Sequence, residues 1–404
     1  MASGTTTIKW GIMATGWIAE TFVKDLLTDP ATRGVSDVRH AVAAVASSTS
    51  ADKAAAFLAK VDAPGRDGIA TYGSYAGLVA DPDVDIVYVA TPHSHHFQNA
   101  MLALRAGKHV LCEKAFAVTA AQARKLADEA RARGLFLMEA VWTRYFPMSV
   151  KIRRLIGDGA IGKVHRVIAD LSINHSRPDG SLSFPNDHRM LNPALAGGAL
   201  LDLGVYSLTW VFQALYHAQP PSDRETPTVV SASVRHAGTG ADESTSTVLT
   251  FPRAGAVGVA LTSLRVGSTY EPGGSFARSP AIRIQGTRGE IQVLGYAYRP
   301  DGFRVLRRVG DDGKAEVVEV EEEDFVVPKD PARAGWGHGM FWEADEAARC
   351  VRDGRLESDG LPLDESVVMM QVMEEALRQG GVKYPDLITT DVYDPESPLN
   401  TGRG

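Results

Sequence analysis

A carboxylate followed directly by an ammonium, Glu113-Lys114, closes the short apolar run His109–Cys112. An amine at a strand end can move a proton or hold a developing negative charge. A second pair, Asp202 and Tyr206, stands four residues apart after a glycine-rich turn, Gly197-Gly198-Ala199. On a helix that spacing puts carboxylate and phenol on one face. Near the amino end, Gly11-Ile-Met-Ala14-Thr15-Gly16-Trp17-Ile18-Ala19 joins a strand pattern to a helix pattern. Such a helix start offers free N–H groups and a positive dipole end to a pyrophosphate. Only the middle glycine of G-x-G-x-x-G is kept; Ala14 and Ala19 hold the outer positions. Each feature also has a plainer reading: a surface Glu-Lys pair, a buried tyrosine with its hydroxyl satisfied, a simple helix cap.

The elements that must position these residues follow from periodicity. Thr7–Ile12, Val38–Ala46, Ile86–Ala90, His109–Cys112 and Leu135–Val141 read as strands. Helical stretches lie between them: Gly16–Thr28, Ala51–Lys60, Ser74–Ala80, His93–Arg105, and a long helix from Thr119 to Gly134. Strands alternating with helices predict a doubly wound parallel sheet, whose ligand crevice lies outside the carboxyl ends of its strands. Residues 1–145 form this expected dinucleotide-binding domain. In this fold the end of the second strand selects the cofactor. Here Ser47-Ser48-Thr49-Ser50 stand in place of an acid, with Lys53 close behind. Hydroxyls and a cation suit a 2′-phosphate, so NADP is expected over NAD; the same serines can also cap the helix.

A helix is expected from Pro147 to Gly157, and from Gly162 the pattern changes. Seven strand-like runs between Val164 and Arg308 predict a large, open, mostly antiparallel sheet in an α+β domain, residues 146–385. Its exposed face suits a second copy, so a homodimer is expected. Glu316–Asp324 reads as a solvated acidic hairpin or loop, and Gly339–Gly354 and Asp364–Gly380 as amphipathic helices. Residues 386–404 read as a polar tail.

Composition excludes several classes. A net charge of −7 gives no footprint for nucleic acid. No apolar run reaches the roughly 18 residues of a membrane span. The first residues, Met-Ala-Ser-Gly-Thr-Thr-Thr, lack a secretory pattern, and two cysteines make no disulfide framework. A cytoplasmic location is expected. His93, His95 and His96 are not spaced like the helical pair of a zinc enzyme, so no metal is expected.

Five segments together resemble the glucose–fructose oxidoreductase / inositol dehydrogenase family, over about residues 7–385. They are Gly11–Gly16, Ala90-Thr-Pro-His-Ser-His-His96, Ala106–Lys114, Glu139-Ala-Val-Trp-Thr-Arg-Tyr-Phe-Pro147 and Gly197–Tyr206. The similar branch holds dimeric dihydrodiol dehydrogenases and NADP-dependent D-xylose dehydrogenases. The resemblance implies a Rossmann domain and makes Lys114 the catalytic lysine of a Glu-Lys-Pro motif. It places Asp202 beside substrate and Tyr206 where many members carry histidine. Thr91, His93 and His96 would border the nicotinamide and its ribose, Glu113 would lie beside them, and Trp142 and Arg144 would touch cofactor or substrate. Ala115 replaces the motif's proline. The peptide before that proline is often cis, so Lys114-Ala115 is either trans or a cis bond held by its surroundings.

The implied reaction is reversible hydride transfer between NADP and a sugar or diol. A free phenol titrates near 10. With Lys114 lowering that value, Tyr206 would serve as base in oxidation and acid in reduction. Equally, Lys114 carries the proton and Tyr206 orients. Asn174, His175, Asn186, Asp187, His188 and Arg189 offer hydroxyl-binding groups, and Trp142, Phe146 and Phe184 offer rings for stacking. The alternative is a non-catalytic NADP-sensing regulator, which resembles the same fold in the galactose-pathway repressor of yeasts.

Overall fold

A computed structural model of the chain describes residues 4–268, 279–308 and 317–401. It divides into two compact units, residues 1–145 with 327–370 and 386–404, and residues 146–326 with 371–385. This grouping differs from the expected domains. Residues 327–370 fold with the first unit, and so does the tail.

The first unit holds a six-stranded sheet in the order β3-β2-β1-β4-β5-β6, every neighbouring pair parallel. The strands are β1 (Thr6–Met13), β2 (Val38–Ala46), β3 (Ala70–Tyr72), β4 (Ile86–Val89), β5 (His109–Glu113) and β6 (Leu137–Ala140). Their interior runs are apolar because helices cover both faces. The helices are α1 (Trp17–Leu26), α2 (Ala51–Lys60), α3 (Tyr75–Ala80), α4 (His96–Arg105) and α5 (Ala120–Arg133). Ser50 and Ser74 accept from Lys53 N and Gly77 N, capping α2 and α3. Thr119 and Gln122 form a capping box at α5. Register then matters. Met13 pairs Val89, Val89 pairs Cys112, and Glu113 pairs Ala140, so the loops after β1, β4, β5 and β6 leave one edge together.

The second unit begins with α6 (Pro147–Gly157) and carries an eight-stranded sheet, order β14-β13-β12-β11-β7-β10-β9-β8. These are β7 (Val164–Ser172), β8 (Thr228–Arg235), β9 (Asp242–Phe251), β10 (Ala256–Ser263), β11 (Pro280–Gly286), β12 (Gly289–Tyr296), β13 (Arg299–Arg308) and β14 (Val317–Asp324). Among the described residues only β7 and β10 pair in parallel in this sheet. Of the two readings of the acidic stretch, the hairpin holds and the loop does not: residues 317–324 form the edge strand β14, antiparallel to β13, and Glu316 lies outside the described residues. Its charges find cross-strand partners, Arg304 Nε with Glu322 at 2.7 Å and Arg307 Nη2 with Glu321 at 3.1 Å.

One face of this sheet carries a helical stretch from Leu200 to His217, with α7 (Val205–Phe212) at its middle. Together with the preceding turn it is long and apolar enough to cross a membrane, yet 94% of that window is buried inside the protein. Its apolar side chains are core. Ser207 Oγ receives the Leu171 N–H and donates to Leu261 O, both at 2.8 Å, fixing α7 on β7 and β10.

The remaining helices are α8 (Phe341–Arg352) and α9 (Leu363–Gln379), then the one-turn α10 (Asp386–Thr389) and α11 (Pro398–Thr401). The polar tail is held against the first unit. Gln98 Nε2 donates to Val392 O at 2.8 Å and Asn99 Nδ2 to Leu399 O at 2.9 Å. Gln122 Nε2 donates to Ile388 O at 2.8 Å. Buried amides that find carbonyls on the tail hold it down.

Candidate functional site

At the carboxyl edge of the parallel sheet, β1 runs into a turn where Ala14 has φ +85° and donates its N–H to Ala46 O at 3.1 Å. Gly16 precedes α1 without any side-chain cap, and a Cβ there would meet nothing within 4 Å. The open helix start and the bare glycine fit a pyrophosphate. Thr15 and Ile18 are half-buried beside it, and the Trp17 side chain is 69% exposed. Gly11 is a correction. It lies inside β1, and a Cβ there would strike Val84 Cγ1 at 2.8 Å, so its bareness serves packing.

After β2, Ser47 Oγ and Thr49 Oγ1 lie 3.2 Å apart, and Ser48 shares a hydrogen bond with Tyr75. Lys53 is exposed on the first turn of α2. Three hydroxyls and one solvent-facing ammonium fit a phosphate ester.

After β4, Thr91 is buried, and its Oγ1 has no hydrogen-bond partner among the described residues. A buried hydroxyl without a partner is costly, and a ligand group would satisfy it. His93 is buried beside His96, their rings edge to face at 5.7 Å. His96 is a second correction. Fully buried, it sets Nδ1 2.8 Å from Ala115 O and Nε2 2.9 Å from Thr91 O. Both nitrogens face backbone carbonyls inside the protein, so the buried ring packs between the two loops instead of presenting an edge to a cofactor. Burial pushes its pKa down to about 4, against the pull of the two carbonyls. The neutral ring has one N–H and can serve one carbonyl at a time.

Beyond β5, Glu113 Oε1 accepts from the Tyr88 hydroxyl at 2.5 Å and Oε2 from Lys114 N at 3.2 Å. The carboxylate is buried beneath the lysine, which is half-buried. Glu113 thus braces Tyr88 and the backbone of Lys114. The Lys114–Ala115 peptide is cis, the second of the two expected alternatives.

After β6, Trp142 stacks on His338 with centroids 4.8 Å apart. His338 belongs to a turn that Asp25 gathers, accepting from the N–H groups of His338, Gly339 and Met340 and from Trp336 Nε1. Arg144 is a third correction. Its fully buried guanidinium pairs with Glu365 at 2.9 Å and donates to Gly360 O at 3.0 and 2.7 Å. It anchors the loop before α9 rather than a ligand.

In the second unit, Asp202 lies in a π-helical turn, Leu200–Gly204, one turn before Tyr206. Arg189 Nη1 donates to Asp202 Oδ1 at 3.0 Å. Tyr206 sits near Tyr298, ring centroids 6.0 Å apart. His188 stacks on Phe184 at 4.4 Å, and His175 meets the other partner of that stack at 4.6 Å. Burial lowers the His175 pKa, while the Asp202 charge raises it. The structure thus gathers His175, Phe184, His188 and Arg189 around Asp202. It does not bring Asn174 or Asn186 to that cluster. Asn174 is exposed and accepts from Ser176 N at 2.9 Å in a local turn. Asn186 is exposed, with its amide against Gly238.

Sequence reasoning missed His338, Asp242 and Tyr384. The last two, from β9 and the segment after α9, bind the turn before Asp202. No local spacing in the sequence marks them.

The chain is similar to known proteins over both units. The sequence model of the oxidoreductase family with an NAD-binding Rossmann fold matches residues 8–141. That of the Gfo/Idh/MocA C-terminal domain matches residues 149–292. The chain is 62% identical over 404 residues, all of both chains, to a D-xylose 1-dehydrogenase (NADP(+)) of Hypocrea jecorina. It is 32% identical to the trans-1,2-dihydrobenzene-1,2-diol dehydrogenase of Homo sapiens, covering 94% of this chain and 98% of the other. An aldose–aldose oxidoreductase of Caulobacter crescentus shares the fold, with TM-score 0.69, 22% identity and coverage of 93% and 98%. This chain belongs to the Gfo/Idh/MocA oxidoreductase family.

Proposed function

We propose that this chain is an NADP-dependent dehydrogenase acting on an aldose such as D-xylose, or on a trans-dihydrodiol. Its 62% identity, end to end, to an enzyme of the first activity carries the reading. The local geometry supports it. Gly16 and the first N–H groups of α1 would hold the pyrophosphate. Ser47, Ser48, Thr49 and Lys53 would hold the 2′-phosphate, and Thr91, His93 and Trp142 would line the sugar and ring beyond it. When bound, NADP supplies the hydride acceptor in oxidation and the donor in reduction.

Oxidation of an alcohol releases a proton from oxygen as the hydride leaves carbon. In the first unit, Lys114 carries that proton or donates a hydrogen bond to the oxygen. In the second unit, Tyr206 is the other proton carrier. Asp202, held by Arg189, orients sugar hydroxyls, with His188 and Phe184 as a flat wall. The protein is a homodimer in this reading, joined through the open face of the eight-stranded sheet, where Val230, Val234 and Val248 are exposed.

Absorbance at 340 nm with NADP, NAD and a panel of aldoses, polyols and dihydrodiols tests the activity. Turnover of an aldose or diol with NADP is expected. Tight NADP binding with no turnover of any substrate would instead make the chain a sensor.

A further inference from the structure

The helical stretch that carries Asp202 and Tyr206 begins without a cap of its own. The residue before it is Ala199, which offers no side-chain acceptor. Helix starts normally satisfy their first N–H groups through a neighbouring Ser, Thr, Asp or Asn. Here the acceptor comes from another element. Asp242, at the start of β9 and fully buried, accepts from Leu200 N at 2.7 Å and from Thr245 Oγ1 at 2.9 Å, both through Oδ2. Its Oδ1 faces the bare Cα of Gly198, where a Cβ would come within 2.0 Å, and Gly198 has φ +144°. The glycine is thus required twice, by its backbone and by the carboxylate above it.

The same turn is held from a second side. Tyr384, from the segment after α9, donates its hydroxyl to Gly197 O at 3.1 Å. A Cβ on Gly197 would strike Arg189 O at 2.7 Å and Asn192 N at 2.8 Å. The turn therefore packs directly on the backbone of Arg189, whose guanidinium holds Asp202. One buried carboxylate thus holds a turn that leads into the Asp202 helix and packs on the backbone of Arg189. It also closes the start of a π-helical turn, a winding frequent at functional sites. Burial raises the Asp242 pKa to about 6, as expected of a charge kept dry and balanced by backbone donors.

We propose that Asp242 is a positioning residue that sets the aim of Asp202 through the Gly197–Leu200 turn, with Tyr384 as its second anchor. The proposal rests on the reading of Asp202 as a group that orients the substrate.

The test is a double-mutant cycle on the full-length protein, with D-xylose, a deoxy analogue of it and NADP. Asp242→Asn keeps the shape but turns amide protons or a weaker acceptor toward Leu200 N. It should lower kcat/KM for the sugar at least tenfold and leave the NADP dissociation constant, read by fluorescence, within twofold. Asp202→Asn should show a loss of its own. The double variant should lose no more than Asp202→Asn alone, because the first change acts through the second residue. Asp242→Asn should also blur the preference for the full sugar over the deoxy analogue. Tyr384→Phe, a milder change, should show the same non-additivity if Asp242→Asn does not fold. Additive losses, or wild-type kinetics in folded Asp242→Asn or Tyr384→Phe, would overturn the proposal. If Asp202→Asn itself turns over sugar like wild type, the parent reading of Asp202 fails instead.

Discussion

The imidazole of His96 is tied to the residue that follows Lys114, with Nδ1 2.8 Å from the carbonyl oxygen of Ala115. Its other nitrogen faces Thr91 O at 2.9 Å. One buried ring thus links the loops after β4 and β5. His96→Phe keeps the bulk and removes both contacts. The neutral ring donates to one of the two carbonyls, and a buried carbonyl left without its donor costs about 1–3 kcal/mol. The urea midpoint should fall, and kcat should fall at least tenfold as Lys114 loses its aim. His96→Gln, which restores one donor, should recover part of both. A His96→Phe protein with wild-type kcat would show that the clamp does nothing for the lysine.

Lys114 stands at the strand end with Glu113 buried below it. Lys114→Ala removes the ammonium and leaves the glycine turn and hydroxyl loop intact. Turnover should drop by about 10² to 10⁴, the usual contribution of one proton-transfer group. NADP affinity, read by fluorescence titration, should change little. Retained turnover would remove the lysine from the chemistry.

The 2′-phosphate reading depends on Lys53, exposed at the start of α2, and on the Ser47–Thr49 hydroxyls. Lys53→Ala should weaken NADP several-fold and leave NAD unchanged, since only NADP carries the extra phosphate. The difference should shrink in high salt, because the pairing is solvent-exposed. Equal losses for both cofactors would mean that the loop does not read the phosphate.

Much of this was legible in the chain. The parallel sheet follows from apolar runs spaced by helical periods, and the α5 start from Thr119 and Gln122 as cap and third residue. Lys114, Asp202 and Tyr206 could be located on their elements from local pattern alone. The misassignments share a cause. Gly11, His96 and Arg144 lie inside the right motifs, but a motif gives a chain neighbourhood, not the direction of a side chain. His96 and Arg144 turn their side chains into the protein, and Gly11 lies buried inside β1. Asp242 and Tyr384 were invisible for a different reason. They reach the Gly197–Leu200 turn from 42 and 187 residues away, beyond any local spacing rule. The strand β3 has three residues, too few to show a period. In β14 the charges that suggested solvent are those of an edge strand paired with arginines.

The Arg144–Glu365 pair has both side chains fully buried. Removing one charge strands the other in a dry interior, at a cost of about 3–5 kcal/mol. Arg144→Met should therefore lower the urea midpoint sharply, and Arg144→Met with Glu365→Met should restore much of it. NADP affinity of the folded double variant should match wild type. A large loss of NADP binding there would return Arg144 to the cofactor site.

Glu139 supplies a pH test close to that pair. It is fully buried at the end of β6, and Phe116 N donates to its Oε1 at 3.0 Å. Burial pushes its pKa from the ordinary 4.5 up to about 7, outweighing the hydrogen bonds and the Arg144 charge. The folded protein therefore keeps a proton that the unfolded chain releases between those two values. Protons held by the folded state make stability fall as pH rises. The contribution is full below 4.5 and is lost as pH climbs through 7. The difference is on the order of 3 kcal/mol across that window. Glu139→Gln carries a neutral amide at every pH, so this part of the pH dependence should vanish. Urea unfolding at pH 5, 6, 7 and 8 compares the two proteins. The wild type should lose stability relative to the variant at each step upward. Parallel curves would mean that Glu139 is charged in the fold at pH 5 as it is at pH 8.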